Sequence, residues 1–224
     1  MVPAESGIEV VVTRQSGDRD AARASLAVLS SDERERANRF IFQRDRLRFI
    51  VRRAQLRKLL GERLGVAAAN VRFSTTVHGK PLLAEPVDRS SVTFNVSHSG
   101  DLSVYAFAAS ADVGVDVETI RIIEEAERVA AMAFSKREYE TYERLPARDK
   151  PAAFFNCWTR KEALVKAMGS GLSYPLDSFD VSLAPHEPPR LLRLGTSDGE
   201  SGWQMLSFSP ASRFIAAIAA RTTA

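Results

Sequence analysis

The feature that most constrains this chain is a segment of small and β-branched residues with the sequence VGVDVE at residues 113–118. Side chains alternate between the faces of a β-strand, so Asp116 and Glu118 share one face while Val115 and Val117 share the other. The valine face predicts a core strand. The two carboxylates offer the oxygen ligands that hard cations such as Mg²⁺ prefer, although an acidic pair facing solvent is the alternative.

A helix is predicted at residues 151–168, where a proline at the start and a glycine after the end mark the boundaries. Trp158, Glu162 and Lys166 recur at every fourth position and therefore lie on one stripe. We expect this stripe to face the acidic strand, which adds Glu162 as a third carboxylate. Core packing is the alternative for Trp158, and a simple ion pair with Glu162 is the alternative for Lys166.

The composition is that of a globular protein. A chain of 224 residues, 45% of them hydrophobic, can bury a core in one large domain or two smaller ones. Without a leader-like start or a long apolar run, we expect a cytoplasmic protein with no membrane partner. The only cysteine, Cys157, predicts a buried thiol, and no Cys/His cluster supports a zinc site. A net charge of +3 suggests an anionic partner without requiring nucleic acid.

The remaining pattern predicts helices followed by strands, twice along the chain, which favours an α+β fold, although no residue-level repeat is visible. Further strands are predicted at residues 8–13, 71–75, 92–98, 102–108, 179–183, 190–194, 203–208 and 213–220. Further helices are predicted at residues 20–29 and 124–133 and, as one or two helices, at 34–58.

The helical stretch at residues 34–58 is crowded with arginine. Arginines occupy positions 34, 36, 39, 44, 46, 48, 52, 53 and 57. Apolar residues between them predict an amphipathic helix with a very basic face. A solvated charged face and a phosphate-binding surface both remain open.

Three smaller features also suggest chemistry. His98 ends a predicted strand, where it could contact a ligand or serve as a hydrogen-bonded structural histidine. Lys80 lies in a Gly-Lys-Pro turn and could be either functional or merely solvated. Glu138 follows Ser135 at capping-box spacing, so it could cap a helix or act in catalysis.

Taken in order, five motifs resemble the Sfp-type 4′-phosphopantetheinyl transferases. They are GKP at 79–81, FNVSHSG at 94–100, GVDVE at 114–118, FSKxE at 134–138 and WxxKExxxK at 158–166. The resemblance covers about residues 30–181. It implies a monomeric pseudo-dimer of two similar α+β halves, residues 1–110 and 111–224, each with an antiparallel sheet packed against helices. The active site would lie at their interface.

The resemblance also implies a reaction, in which the 4′-phosphopantetheine arm of coenzyme A is transferred to a serine of an apo acyl or peptidyl carrier protein. Adenosine 3′,5′-bisphosphate is released. The implied Mg²⁺ ligands are Asp116, Glu118 and Glu162. The implied coenzyme A contacts are Arg36, Arg48, Lys80, Ser97 and His98.

For the chemical step, Glu162, Glu138 or a metal-bound water would take the serine proton, and Lys166 would stabilise or protonate the leaving phosphate. Glu33 departs from the family pattern, since relatives can place a lysine there to contact the 3′-phosphate. The partner would be an acidic carrier steered by the basic surface, with apolar residues after Phe134 adding a docking contact. Another Mg²⁺-dependent phosphoryl or nucleotidyl enzyme and a basic nucleic-acid-binding module are the alternatives.

Overall fold

The structure is a computed structural model that describes residues 7–15, 17–84, 92–109, 111–171, 174–195 and 201–222. It has the predicted α+β fold. The strands are β1 (Ile8–Arg14), β2 (Phe73–Thr75), β3 (Pro81–Leu83), β4 (Thr93–Ser99), β5 (Leu102–Ala108), β6 (Ala111–Thr119), β7 (Asp180–Val181), β8 (Leu191–Arg193), β9 (Trp203–Phe208) and β10 (Phe214–Thr222). The α-helices are α1 (Arg19–Ser25), α2 (Ser31–Asn38), α3 (Gln43–Leu64), α4 (Ala126–Ala133), α5 (Lys136–Glu143) and α6 (Lys150–Met168).

The two halves of the chain have the same topology. One antiparallel sheet has the strand order β1-β5-β4, and the other has the corresponding order β6-β10-β9. Each half also inserts helices and a two-stranded ribbon, β2-β3 or β7-β8, between its first strand and its last two. The duplication that individual residues do not reveal is therefore present in the order of elements. We propose residues 110 and 111 as the boundary between the halves.

The two sheets pack face to face around a shared hydrophobic core. Val113, Val115 and Val117 of β6 are buried in it, as the alternating pattern predicts. Val104 and Ala106 of β5 enter the same core from the first half. The long helices cover the outer faces, α3 against β4 and β5 and α6 against β6 and β10. Each half therefore completes the core of the other.

The free edge of β6 lies beside β4, and side chains close it. Backbone N–H groups of β6 donate to polar side chains of β4, which satisfies donors that a buried edge would otherwise leave unpaired. The pairs are Val115 N to Asn95 Oδ1 (3.0 Å), Val117 N to Ser97 Oγ (3.3 Å) and Thr119 N to Ser99 Oγ (3.2 Å). This β4–β6 junction joins the two halves.

Several element boundaries differ from the predictions. The arginine-rich stretch forms two helices, α2 and α3, with a break that leaves Ile41 and Phe42 exposed. The helix predicted at residues 20–29 ends at Ser25 and continues as a short 3₁₀ turn. The strand predicted at residues 179–183 shrinks to β7 because its register with β8 shifts. In the described ranges, no helix combines the length and apolarity needed to cross a membrane.

Candidate active site

The candidate site forms where α6 crosses β6, and Gly114 allows this crossing. A Cβ atom at Gly114 would lie 2.1 Å from the carbonyl oxygen of Ala163 and 2.3 Å from the backbone nitrogen of Ala167. No side chain fits in that space. The close approach brings Glu162 and Lys166 of the helix over the acidic face of the strand, as the stripe on α6 predicts.

Lys166 and Asp116 form an ion pair across this crossing. Lys166 Nζ lies 2.5 Å from Asp116 Oδ1, and the two side chains are 29% and 8% exposed. Ser97 Oγ donates to the same oxygen at 2.9 Å. The other oxygen, Asp116 Oδ2, is buried and has no hydrogen-bond partner. Lys166 therefore pairs across to the strand, and the alternative of an ion pair with Glu162 within the helix is wrong.

Two further carboxylates lie close enough to influence Asp116. Burial and the Asp116 charge raise the pKa of Glu118, although Ser99 Oγ donates to it at 3.0 Å. Burial also raises the pKa of Glu162, with Lys166 opposing and the other two carboxylates adding to the rise. Three carboxylates thus share two cations, the Lys166 ammonium and the Arg121 guanidinium, which lies 3.7 Å from Glu118.

The carboxylates suit a divalent cation in their chemistry. Among the described residues, no three His, Cys, Asp or Glu side chains come together tightly enough to hold a metal ion. The Lys166 ammonium instead takes one oxygen of Asp116. Asp116 Oδ2, which has no hydrogen-bond partner, and the carboxylates of Glu118 and Glu162, whose pKa values are raised, are nevertheless oxygen donors of the kind that Mg²⁺ prefers. The chemistry of these donors therefore suits the predicted cation, although the three carboxylates do not close around one point in this arrangement.

A cavity of about 790 Å³ opens beside this cluster, between α3 and the end of β4. We call it the arginine pocket, after its lining residues Arg36, Arg44, Arg48, Arg52 and Arg53. His98 contributes to the lining from β4, and Gly79 and Pro81 contribute from the loop before and the start of β3. The predicted residues Arg36, Arg48 and His98 therefore meet in one cavity.

The pocket is strongly electropositive. Burial and the neighbouring arginine charges lower the pKa of Arg52 to about 10, with Tyr105 opposing. Arg48 Nε is buried and has no hydrogen-bond partner. His98 opens onto the pocket, yet partial loss of hydration and then the charges of Arg52 and Lys166 lower its pKa to about 4. The histidine ring is therefore neutral near pH 7.

Glu33 explains why the other arginines of this stretch behave differently. It caps α2 through a capping box with Ser30 and accepts hydrogen bonds from Arg53 Nε (2.5 Å) and Arg57 Nε (2.7 Å). These two arginines are thereby fixed in the structure. Residues 34, 39 and 46 are exposed, so the stretch combines a solvated face with a pocket-forming face.

Glu138 has a structural role at the start of α5. It is 2% exposed and accepts from the backbone nitrogens of Ser135 and Val181, both at 2.7 Å. Lys161 Nζ completes the set at 2.7 Å. This confirms the capping-box alternative, and the buried ion pair leaves the carboxylate committed to α5, β7 and α6.

Lys80 lies at the junction of the two halves and does not line the pocket. Its Nζ donates to the carbonyls of Ala167 (3.1 Å) and Val113 (3.4 Å). Burial lowers its pKa, and Asp112 opposes that effect. The prediction that Lys80 contacts coenzyme A phosphates does not match this arrangement, because the ammonium is held at the crossing of α6 and β6.

Three other predictions concern packing. Cys157 is fully buried, and burial raises the pKa of its thiol well above the ordinary value, as expected for a core cysteine. Trp158 stacks on Phe154 with ring centroids 6.1 Å apart, which confirms the core-packing alternative. Phe134 is itself buried, and its exposed followers are polar. Exposed apolar side chains lie before it instead, at Ile122 and Met132.

Sequence reasoning missed Ser99 and Arg52 as site residues. The signal for Ser99 was present, because Asn95, Ser97 and Ser99 alternate along β4 and must share one face. No comparable signal distinguished Arg52 from its neighbour Arg53, since only tertiary packing decides which arginine meets Glu33.

A carboxylate cluster beside a deep cationic pocket is typical of an enzyme that transfers phosphoryl groups from a polyanionic substrate. A family model described as the 4′-phosphopantetheinyl transferase superfamily matches residues 112–219. A second, described as 4′-phosphopantetheinyl transferase, N-terminal, matches residues 17–110.

Individual relatives agree with these matches. The 4′-phosphopantetheinyl transferase HetI of Nostoc sp. is 38% identical over 193 residues, which cover 86% of this chain and 78% of that protein. The 4′-phosphopantetheinyl transferase Sfp of Bacillus subtilis is 34% identical over 161 residues, which cover 70% and 68%. A Homo sapiens relative, L-aminoadipate-semialdehyde dehydrogenase-phosphopantetheinyl transferase, is 29% identical over 195 residues, which cover 83% and 63%.

This chain belongs to the 4′-phosphopantetheinyl transferase family. Members of the family are transferases that move the phosphopantetheine group from coenzyme A to carrier proteins.

Proposed function

We propose that this protein catalyses the Mg²⁺-dependent transfer of 4′-phosphopantetheine from coenzyme A to a serine of an apo acyl or peptidyl carrier protein. The serine oxygen bonds to the phosphorus nearest the pantetheine, and the bond from that phosphorus to the bridging oxygen breaks. Adenosine 3′,5′-bisphosphate leaves with that oxygen. The observation that carries the proposal is the carboxylate cluster of Asp116, Glu118 and Glu162 lying beside the arginine pocket.

The three carboxylates are the residues that would hold Mg²⁺. When bound, the cation offsets negative charge on the pyrophosphate oxygens as the phosphoryl group is transferred. Ser97 and Ser99 orient the strand carboxylates by donating to Asp116 at 2.9 Å and to Glu118 at 3.0 Å. We therefore assign the two serines to positioning, and for Ser97 this adds to the predicted contact with coenzyme A.

Glu162 is the best candidate to accept the serine proton. Burial and the nearby carboxylates raise its pKa, which makes it a better base than an ordinary glutamate at neutral pH. Within the described residues, Asp116 pairs with Lys166 and Glu118 accepts from Ser99, whereas no hydrogen bond engages the Glu162 carboxylate. A metal-bound water remains the alternative acceptor, and Glu138 does not, because it is fully engaged elsewhere.

Lys166 and the cations of the pocket would bind the two ends of the substrate. Lys166 is placed to neutralise charge on the leaving phosphate, which grows as the bond to phosphorus breaks. Arg36, Arg48 and His98 would contact the nucleotide phosphates. Lys80 could join them only by giving up its two carbonyl partners at the crossing of α6 and β6.

An acidic carrier protein is the partner that suits the charge of this chain. Its basic surface would steer such a carrier by long-range attraction. Ile122, which is 87% exposed, lines a cavity of about 450 Å³ between α4 and α6, and Met132, which is 76% exposed, lies on α4. Both are candidates for the apolar docking contact. The arginines converge on a pocket rather than a long stripe, which favours a compact anion over nucleic acid. We propose a monomeric, cytoplasmic enzyme.

Intact-mass spectrometry tests the proposed function directly. An apo carrier protein is incubated with this protein, coenzyme A and Mg²⁺, and a matched sample receives EDTA. We expect the carrier to gain one phosphopantetheine group on its serine only when the metal is free. No gain across carriers of fatty acid, polyketide and nonribosomal peptide synthesis would contradict the proposal, as would equal labelling in EDTA.

A further inference from the structure

Lys80 holds an ammonium group at the junction of the two halves. The side chain is partly buried, and its Nζ donates to the backbone carbonyls of Ala167 (3.1 Å) and Val113 (3.4 Å). Burying an ammonium costs hydration free energy, which the hydrogen bonds to carbonyl oxygens offset only while they are kept. The ammonium therefore stays with the two carbonyls that it joins, and we call this contact the Lys80 bridge.

The two carbonyls belong to the two elements that carry the candidate site. Val113 lies in β6 directly before Gly114, and Ala167 lies in α6 directly after Lys166. The two backbones touch here, since a Cβ atom at Gly114 would lie 2.3 Å from the nitrogen of Ala167. The Ala167 carbonyl is also one of the last four of α6, which lack partners within the helix. A cation at this position meets the negative end of the helix dipole.

Lys80 is itself held by a tight turn of the first half, residues 76–80. Thr76 N donates to the Lys80 carbonyl (2.9 Å), and Lys80 N donates to Thr76 Oγ1 (3.1 Å). Gly79 N donates to the Thr76 carbonyl (2.9 Å), and its φ of 81° is one that glycine adopts without strain. The turn lies against the end of α6, because a Cβ atom at Gly169 would lie 3.7 Å from Lys80 Cδ. The first half thus presents the ammonium to the second half on a defined turn.

The same turn also contacts the arginine pocket. Gly79 and Pro81, the neighbours of Lys80 in the chain, line the pocket together with Thr75. The Lys80 side chain instead reaches the crossing of α6 and β6. One short segment therefore touches the proposed substrate pocket and, through a single side chain, the crossing that carries the carboxylates.

We propose that Lys80 is a positioning residue, which holds the end of α6 against β6 and thereby sets the placement of Lys166 relative to Asp116. Lys166 adjoins Ala167 in the chain, and its Nζ lies 2.5 Å from Asp116 Oδ1 while the bridge is in place. A displacement of about 1 Å at a reacting group can cost about a hundredfold in rate. This inference rests on the proposed function, because Lys166 and Asp116 act in that reaction.

A comparison of turnover with substrate affinity tests the inference. Steady-state kinetics with an apo carrier protein give kcat, and isothermal titration calorimetry gives the Kd of coenzyme A. We expect Lys80→Met, which removes the donors, to lower kcat by about tenfold to a hundredfold and to change the Kd by less than about threefold. Lys80→Arg should retain more turnover, because a guanidinium can still donate to two carbonyls. Weakened coenzyme A binding with an unchanged kcat would make Lys80 a phosphate contact and overturn the inference.

A double-mutant cycle provides a readout that a merely structural lysine would not move. If Lys80 acts through Lys166, then Lys166→Ala should cost much less turnover in Lys80→Met than in the unsubstituted protein, because the misplaced ammonium already contributes little. Independent effects of the two substitutions would overturn the inference. If Lys80→Met does not fold, the same cycle is built on Lys80→Arg, and the same two outcomes decide.

Lys58→Met is the matched control, since Lys58 is exposed on α3 and does not line the arginine pocket. It also removes one positive charge, yet it should change neither kcat nor the Kd of coenzyme A. Its effect should be independent of Lys166→Ala.

Hydrogen exchange tests the bridge without any turnover. In Lys80→Met the backbone amides at the end of α6 and near Val113 should exchange faster than in the unsubstituted protein, whereas those of α1 should not. Unchanged exchange at both places would overturn the inference while leaving the proposed function in place. If the unsubstituted protein transfers no phosphopantetheine to any carrier, the proposed function fails, and the exchange rates still decide whether Lys80 holds α6 to β6.

Discussion

Lys166 of α6 reaches across to Asp116 of β6, and its ammonium lies 2.5 Å from the carboxylate oxygen that Ser97 also contacts. The lysine thereby occupies one oxygen of a residue proposed to hold the cation. Charge is balanced at Asp116 in this state. The same ammonium would be released when a bound cation replaces it at Asp116 and a substrate phosphate becomes its new partner.

The first prediction follows from this competition. Lys166→Ala should lower turnover by about a hundredfold, the scale of a lost transition-state contact, and affect coenzyme A affinity less. It should also strengthen Mn²⁺ binding in the absence of coenzyme A, because a competing ammonium is removed from Asp116. Steady-state kinetics and electron paramagnetic resonance of bound Mn²⁺ measure the two effects. Asp116→Asn should lose both turnover and Mn²⁺ affinity.

Lys58→Ala is the control for that experiment, since Lys58 is exposed on α3 and does not line the arginine pocket. It should change neither quantity. Weaker Mn²⁺ binding by Lys166→Ala would contradict the competition between ammonium and cation.

The second prediction concerns the close packing at Gly114. Gly114→Ala should destabilise the protein by about 3 kcal/mol or more, at or above the usual cost of overpacking, because both contacting atoms belong to the α6 backbone. Urea unfolding followed by circular dichroism measures the free energy of unfolding. Gly195→Ala is the control, because its Cβ would meet only the carbonyl oxygen of Ser178 at 3.9 Å. Equal effects of the two substitutions would show that α6 can move away from β6.

The third prediction separates structure from chemistry at Glu138. Glu138→Gln leaves the buried Lys161 ammonium without its counter-charge, which should cost about 3–5 kcal/mol of unfolding free energy. Well below the unfolding temperature, turnover should persist. Glu140→Gln, on the exposed face of the same helix, should be neutral in both measurements. If Glu138→Gln loses turnover while its free energy of unfolding is unchanged, Glu138 takes part in catalysis and the structural assignment is contradicted.

The fourth prediction is a pH dependence of stability. The folded-state pKa of His98, about 4, lies below its ordinary value of 6.5, so between these values the unfolded chain binds a proton that the folded chain excludes. The His98 contribution therefore falls as pH drops from about 6.5 toward 4 and returns as pH rises. Glu118 and Glu162 contribute in the opposite direction, because their folded-state pKa values are raised. Their contribution to stability grows as the pH falls toward those raised pKa values, since the folded chain then binds protons more readily than the unfolded chain does.

The His98 contribution is isolated by difference. Unfolding midpoints measured from pH 7 to pH 4 without ligand should depend on pH differently in His98→Gln, with the substituted protein relatively more stable at the acidic end. His186→Gln, on an exposed loop, should follow the unsubstituted protein. Parallel profiles for all three proteins would contradict the lowered pKa of His98.

The local elements that carry the site were predictable from the sequence. Strand β6 follows from its alternation of valine and acid, and α6 follows from its proline start and its spacing of Glu162 and Lys166. The capping box at Ser135 also forms as predicted. Each of these depends on residues within a few positions of one another.

Partner choice across the fold was not predictable. Lys80 and Lys166 both looked free to bind phosphate, yet one meets backbone carbonyls and the other meets Asp116. Arg52 and Arg53 are adjacent, and only the position of Glu33 beneath α3 separates their roles. Such outcomes depend on how close two elements pack, which in this chain is set at positions such as Gly114.

The β4–β6 junction has a consequence for how this protein can evolve. Ser97 accepts the Val117 backbone N–H, which helps to hold the two halves together, and donates to Asp116, which orients a proposed cation ligand. One hydroxyl thus serves both cohesion and carboxylate geometry. Replacing it by alanine removes both interactions, and replacing it by a larger residue displaces the strand that carries Asp116 and Glu118. Selection for a more stable β4–β6 junction and selection for the position of the Asp116 carboxylate must therefore both act on Ser97 Oγ.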